Sequence, residues 1–224
     1  MALMPWLSVT NNMKPHLKSC LFSLLTGLSI LFIPNAQAEP VLNQDYRLVQ
    51  PIVTSDPEKI EVIDFFAYTC GHCLRLAPLI DEWEKTLPDD VKLIRVPVAW
   101  DQTTEFLSRI YYTLASINRL DDLHMVFWND LMQGKISSSA DLAGWVKSHG
   151  ISDDSWQKAY NSFSVTAQTQ QATKLWQAYN LDATPYIGVA GKYLTAPHMV
   201  GSRQKVLPVV NWLIEKERKD RRQP

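Results

Sequence analysis

The stretch KIEVIDFFAY, Lys59 to Tyr68, is apolar on both faces of an extended chain, at Val62, Ile63, Phe65 and Phe66, and predicts a strand buried in the middle of a sheet. From His72 the period lengthens. Leu76, Leu79, Ile80, Trp83 and Leu87 recur at helical spacing, and Pro88 with Asp89 and Asp90 ends the segment. VKLIRVPV, Val91 to Val98, predicts a second strand, so the order strand, helix, strand implies a βαβ unit with parallel pairing. Ahead of it, Tyr46 to Val49 is a candidate edge strand.

From about 104 to 180 the helical period dominates, as in Phe106, Ile110, Leu114 and Ile117, and again in Leu142, Trp145 and Val146. Ser139 and Ser152 are the expected N-caps, the second followed by Asp153 and Asp154 in the first turn; Gly150 is an expected helix stop and Asn180 the expected end of the last long helix. PYIGVAGKYL predicts two short strands around an Ala190-Gly191 turn. RQKVLPVVNWLIEKERKD predicts a closing helix bent at Pro208, with a solvated basic end from Arg218 to Arg222. The coarse order is βαβ, a helical block, then ββα.

Composition changes this picture mainly at the N-terminus. With 46% hydrophobic and 20% charged residues, the chain is ordinary for a soluble protein of roughly one to two domains. The first 38 residues hold no acid, carry Lys14 and Lys18, and continue into the apolar run Cys20 to Ile33, which is shorter than the ~20 residues needed to span a bilayer. Ala36-Gln37-Ala38 supplies the small residues a signal peptidase reads, so cleavage before Glu39 is expected, with an uncleaved anchor as the alternative. Met1 and Met13 are both candidate starts. Cys20 precedes the apolar run and is expected to leave with it.

Two of the 22 lysines and arginines and none of the 23 acids lie in that segment, so the remaining 186 residues carry a formal charge of −3. No nucleic-acid footprint is visible. Two cysteines remain, Cys70 and Cys73, in the stretch DFFAYTCGHCLRLAPLI at the junction of the buried strand and the helix. A secreted scaffold stapled by disulfides uses several pairs spread along a short chain, and this chain has one tight pair. Residues three apart in an opening helical turn share a face, so the two sulfurs can bond. The unpaired N–H groups and the macrodipole at that helix start favour negative charge on the first sulfur, which makes Cys70 the candidate nucleophile. His72, between the cysteines, is placed to donate a hydrogen bond or charge to that thiolate, and Gly71 keeps the turn uncrowded; an exposed histidine without a role is the plainer alternative. As a zinc site the pair supplies two of four ligands, with His124, His149 and His198 scattered, so no metal is expected. As an inert staple, so small a loop gains little stability.

These residues resemble the thioredoxin superfamily, and within it the periplasmic thiol:disulfide interchange proteins of the DsbA type. FFAYTCGHC carries the resemblance, with Pro78 where superfamily members kink this helix, ATPYIGVAGKY in the second half, and YNSF, Tyr160 to Phe163, in the helical block. The fold implied is α/β: a thioredoxin-like fold, a central mixed sheet flanked by helices, with an inserted all-helical subdomain. The boundaries expected are a cleaved signal peptide over 1–38, thioredoxin-like parts over 39–103 and 181–224, and the helical insertion over 104–180.

The resemblance also implies that Pro185, after Thr184, is a cis-proline facing the cysteine pair and presenting a backbone edge to substrate. An ordinary trans proline is the alternative. It implies that Asp64 lies buried beneath the pair as a proton relay to Cys73, with Arg95 nearby holding its charge; an acid at the strand edge facing water is the rival reading. Gly71 stands where proline is common in DsbA proteins and Ala77 where an acid occurs, and Gly-His is shared with eukaryotic disulfide isomerases.

The activity expected is a dithiol oxidase acting on unfolded exported polypeptides with free thiols. It needs no cofactor, is reoxidised by a quinone-linked membrane oxidase of the DsbB type, and works as a monomer in the periplasm of a Gram-negative bacterium. An isomerase or reductase is the nearer rival, although only Glu39 to Lys59 precede the first strand, too little for a dimerisation domain. A chaperone-like binding module with incidental cysteines is the remaining alternative.

Overall fold

The computed structural model describes residues 38 to 223. The expected export segment, with Met13 and Cys20, lies outside the described residues apart from Ala38. The strands are β1 (Arg47–Leu48), β2 (Ile60–Phe66), β3 (Val91–Pro97), β4 (Tyr186–Val189) and β5 (Tyr193–Thr195), and they form one mixed sheet in the order β1-β5-β4-β2-β3. The helices are α1 (Gly71–Glu84), α2 (Gln102–Ser116), α3 (Leu120–Met132), α4 (Ser139–Ser148), α5 (Asp153–Tyr160), α6 (Phe163–Ala178) and α7 (Arg203–Arg222). Five of them, α2 to α6, fall between β3 and β4 in the chain.

β2 pairs in parallel with β3 and antiparallel with β4, and every one of its residues is buried, as its two apolar faces require. Ile60 and Val62 pack with Leu76, Ile80 and Trp83 of α1 and with Val206, Val210 and Leu213 of α7. Ile63 and Phe65 face the other way, against Ala172 of α6 and Tyr179. Phe66 and Tyr68, past the end of α7's cover, join a separate aromatic core with Tyr111, Phe127, Trp128 and Trp145 of the helical block. The strand that leads to the cysteines is thereby clamped by three groups of helices.

Local chemistry explains most boundaries and a few departures from expectation. α1 ends at Glu84 rather than running to Leu87, because the Thr86 N–H and hydroxyl both donate to the Trp83 carbonyl and fold the chain back. Ser138, not Ser139, caps α4, its hydroxyl accepting from the Asp141 N–H at 3.1 Å. Ser152 caps α5 as expected, and Gly150 and Asn180 take left-handed φ values of 74° and 50° just past α4 and α6. Phe106 is exposed on α2 while Leu107 turns inward. Ala190 and Gly191 make the β4–β5 turn at φ 54° and 65°, and a Cβ at Gly191 would collide with the Ile52 carbonyl. The basic end of α7 is not merely solvated. Arg218 pairs with Asp90 and Glu215, and Arg221 pairs with Glu217 and donates to the Pro57 and Lys59 carbonyls, which ties the helix to the segments that lead into β2 and β3.

Candidate active site

β2 ends at Phe66, and the Cys70 N–H donates to the Ala67 carbonyl at 2.9 Å to close the turn that starts α1. Cys70 is the N-cap, with extended backbone at φ −94° and ψ 103°, and its sulfur accepts the Cys73 N–H at 3.1 Å. A Ser or Asp oxygen ordinarily fills that role, so the first-turn amides are aimed at a sulfur instead. Cys70 and Cys73 are joined in a disulfide with Cα atoms 5.3 Å apart. Cys70 is half-buried and Cys73 is only 2% exposed, so a second polypeptide can reach the first sulfur and not the other.

The sheet brings the distant proline loop to this sulfur. Phe65 stands opposite Tyr186 in the antiparallel β2–β4 register, so the residues just before Tyr186 come level with the turn just after Phe66. The Thr184–Pro185 bond is cis, and the Thr184 carbonyl oxygen lies 3.5 Å from Cys70 Sγ. The expected cis geometry and the expected juxtaposition are both present.

His72 is exposed on the first turn of α1, where its Nδ1 accepts from Arg75 Nη2 at 3.1 Å. With Nδ1 accepting, the proton of the neutral ring is on Nε2. In this disulfide form the imidazole therefore engages a cation rather than the Cys70 sulfur. A Cβ at Gly71 would meet Arg75 and Met132 only at ordinary contact distances of 3.5 and 3.7 Å, so crowding is not what requires glycine between the cysteines.

Asp64 is 6% exposed, on the same face of β2 as Val62 and Phe66. Burial pushes its pKa up to about 7, the Arg95 guanidinium opposes that rise, and Asp81 and Glu84 add to it. Arg95 stands opposite Asp64 in the β2–β3 register, but its Nη2 donates to Asp81 at 2.8 Å and to Glu84 at 2.7 Å. Arg95 thus favours the charge of Asp64 through space, while two half-exposed acids of α1 take its hydrogen bonds. Just beyond the end of β2 the Tyr68 hydroxyl is hydrogen-bonded to His124 Nδ1 at 2.8 Å, inside a ring of Phe66, Tyr111 and Trp128. Burial first, then the charge of Arg95, depresses the His124 pKa to about 4, which leaves the imidazole neutral at pH 7.

Comparison with known proteins agrees with this arrangement. The Thioredoxin family model matches residues 47–110. The thiol:disulfide interchange protein DsbA of Bordetella pertussis is 36% identical over 197 residues, covering 86% of this chain and 93% of that protein. The chain belongs to the DsbA family of thiol:disulfide interchange proteins. DsbA of Azotobacter vinelandii is 31% identical over 210 residues, 90% of this chain and 98% of its own. The crystal structure of Pseudomonas aeruginosa DsbA superposes with a TM-score of 0.77 at 28% identity, covering 82% of this chain and 97% of that one. The fold is thioredoxin with an inserted helical subdomain, and the chain is a thiol:disulfide oxidoreductase.

In this DsbA-family chain two openings flank the disulfide. One, of about 510 Å³, is apolar and lined by Tyr68, Phe106, Leu107, Leu131, Met132 and Leu142. The other, of about 500 Å³, lies between the first turns of α1 and α7 and includes His72, Arg75, His198 and Arg203. Arg75, the Tyr68–His124 pair and the exposed Met132 were not singled out from the sequence. For Arg75 a signal existed, since it follows His72 by three residues on a helix. No local signal joins Tyr68 to His124, because they come from different elements of the fold.

Proposed function

We propose that this chain is an exported dithiol oxidase that introduces disulfides into unfolded polypeptides of the periplasm, after loss of residues 1–38. A substrate thiolate attacks Cys70 Sγ, the Cys70–Cys73 bond breaks, and Cys73 leaves as a thiolate that takes up a proton. The substrate's second thiolate then attacks its own sulfur in the mixed disulfide and releases the Cys70 thiolate. The substrate has lost two electrons, and the enzyme holds them as two thiols.

The observation that carries this reading is the Cys73 N–H donating to Cys70 Sγ at the start of a helix, since the same donor and dipole stabilise the anion released in the second step. His72 adds hydrogen-bond or charge stabilisation once the thiolate exists. Asp64, held near neutral pKa, is the proton relay for Cys73, with Arg95 tuning it from across the strand pair. The Thr184–Pro185 edge supports substrate docking through backbone pairing, and the apolar groove with Phe106 and Met132 suits the exposed side chains of an unfolded chain. A quinone-linked membrane oxidase of the DsbB type restores the disulfide, and the protein acts as a monomer.

Incubation of the reduced variants with an unfolded polypeptide that holds a disulfide, which runs the exchange in reverse, tests the assignment of the two sulfurs. Cys73→Ser is expected to accumulate a mixed disulfide through Cys70, and Cys70→Ser to lose exchange altogether. A stable adduct through Cys73 in the Cys70→Ser protein would reverse the roles. Titration of the couple against glutathione separates oxidase from reductase, because an oxidase must lie on the oxidising side of that buffer.

A further inference from the structure

The basic opening beside the disulfide has a composition that the exchange chemistry alone does not demand. Its lining includes His72, Arg75, His198, Arg203 and Gln204, and no acidic residue. Arg95, Arg119, Arg218 and Arg221 all meet carboxylates, whereas among the described residues no salt bridge involves Arg75 or Arg203. The first turn of α7 carries no acid, and Ser202 at its N-cap makes no side-chain cap bond, so its amides add to the positive potential. Asp182 reaches this region only through Tyr186, whose hydroxyl donates to it at 2.9 Å and lies 3.5 Å from His198 Nε2. The whole chain has a formal charge of −1, so this positive field is local to the cleft rather than a property of the molecule.

The cleft is continuous with the redox turn at both ends of its lining. His72 stands between the two cysteines, and His198 packs edge-on against Tyr186, the residue after Pro185, with ring centroids 5.2 Å apart. A polypeptide whose cysteine reacts at Cys70 therefore carries its flanking residues past Arg75 and Arg203. We infer that this cleft selects among substrates, favouring segments with Asp or Glu within a few residues of the reacting cysteine.

This rests on the proposed attack at Cys70 beside the Thr184–Pro185 edge. Exposed ion pairs contribute little to equilibrium binding, so the selection acts mainly on encounter, through steering that salt screens.

Three short peptides with one cysteine pair, flanked by aspartates, asparagines or lysines, test it. The rate at which each reduces the Cys70–Cys73 disulfide is divided by its rate with uncharged hydroxyethyl disulfide, which cancels the intrinsic reactivity of its thiols. At about 10 mM salt, where the Debye length is about 30 Å, the aspartate peptide is expected to exceed the asparagine peptide by about fivefold, with the lysine peptide slowest. At about 1 M salt, with screening over about 3 Å, the three rates converge. In R75Q/R203Q the aspartate-to-lysine ratio falls toward one, and in R75E/R203E it inverts.

Equal normalised rates at low salt, or a preference unchanged in both variants, would overturn the inference while leaving exchange at Cys70 intact. The salt series on the unaltered protein decides the matter even if a variant misfolds. Failure of all three peptides to reduce the disulfide, or their oxidation by C70S, would overturn the parent reading together with it.

Discussion

The two sulfurs of one disulfide inhabit opposite environments. Cys70 is half-buried at a helix N-cap, with a backbone N–H aimed at it, His72 and Arg75 beside it and the Thr184 carbonyl 3.5 Å away. Cys73 is 2% exposed, in an aromatic core whose Phe66, Tyr111 and Trp128 surround the neutral imidazole of His124. The difference teaches that polarity in exchange is a matter of access and solvation more than of sulfur chemistry. A nucleophile must be reachable and stable as an anion, while its partner needs a dry place and a proton.

The largest expected effect comes from Asp64, the proposed relay for Cys73. Folded, it holds its proton up to about pH 7, whereas the unfolded chain releases it near the ordinary 3.8. Between those values the folded state binds more protons, so stability falls as pH rises and the cost is complete above about 7. Asp64→Asn removes that titration and is expected to stabilise the oxidised protein at pH 8 by on the order of 3 kcal/mol more than at pH 4. Urea unfolding at both pH values measures this, and equal shifts at the two would show that Asp64 does not titrate there.

Tyr68→Phe comes next. It strips the hydrogen-bond partner from buried His124 Nδ1 and is expected to cost about 1–3 kcal/mol of stability, read as a lower urea midpoint. The pH profile for alkylation of Cys70 in the reduced protein should not move, because the change lies on the other side of the disulfide. A shifted profile with an unchanged midpoint would dissolve the distinction between the two sides.

The smallest effect is expected at His72, whose removal by His72→Ala touches only the exposed side. The Cys70 pKa in the reduced protein should rise by about one unit, with stability altered by less than about 0.5 kcal/mol. Alkylation rate against pH checks this directly. An unaltered profile would leave the helix start as the sole source of thiolate stabilisation.

Much of this was legible beforehand. The buried strand from its two apolar faces, the change of period at His72, the positive-φ turn at Ala190-Gly191 and the helix stops at Gly150 and Asn180 all agree with the structure. The misses share a cause. Ser138 displaced Ser139 as cap because both carry the same hydroxyl and only the backbone angle distinguishes them. The end of α1 moved inward because Thr86 competes for a helical carbonyl. Arg95, expected only near Asp64, stands opposite it, yet its guanidinium donates to Asp81 and Glu84, half-exposed on the facing helix.

By itself, the order of residues determined the elements and the redox pair, because periodicity, capping and a three-residue spacing act over one or two helical turns. Only the tertiary structure decided what faces that pair: Thr184 against Cys70, His124 under Tyr68, and the first turns of α1 and α7 forming one basic cleft. Those meetings depend on sheet register and on how helices from distant parts of the chain pack across it, and no short-range pattern encodes them.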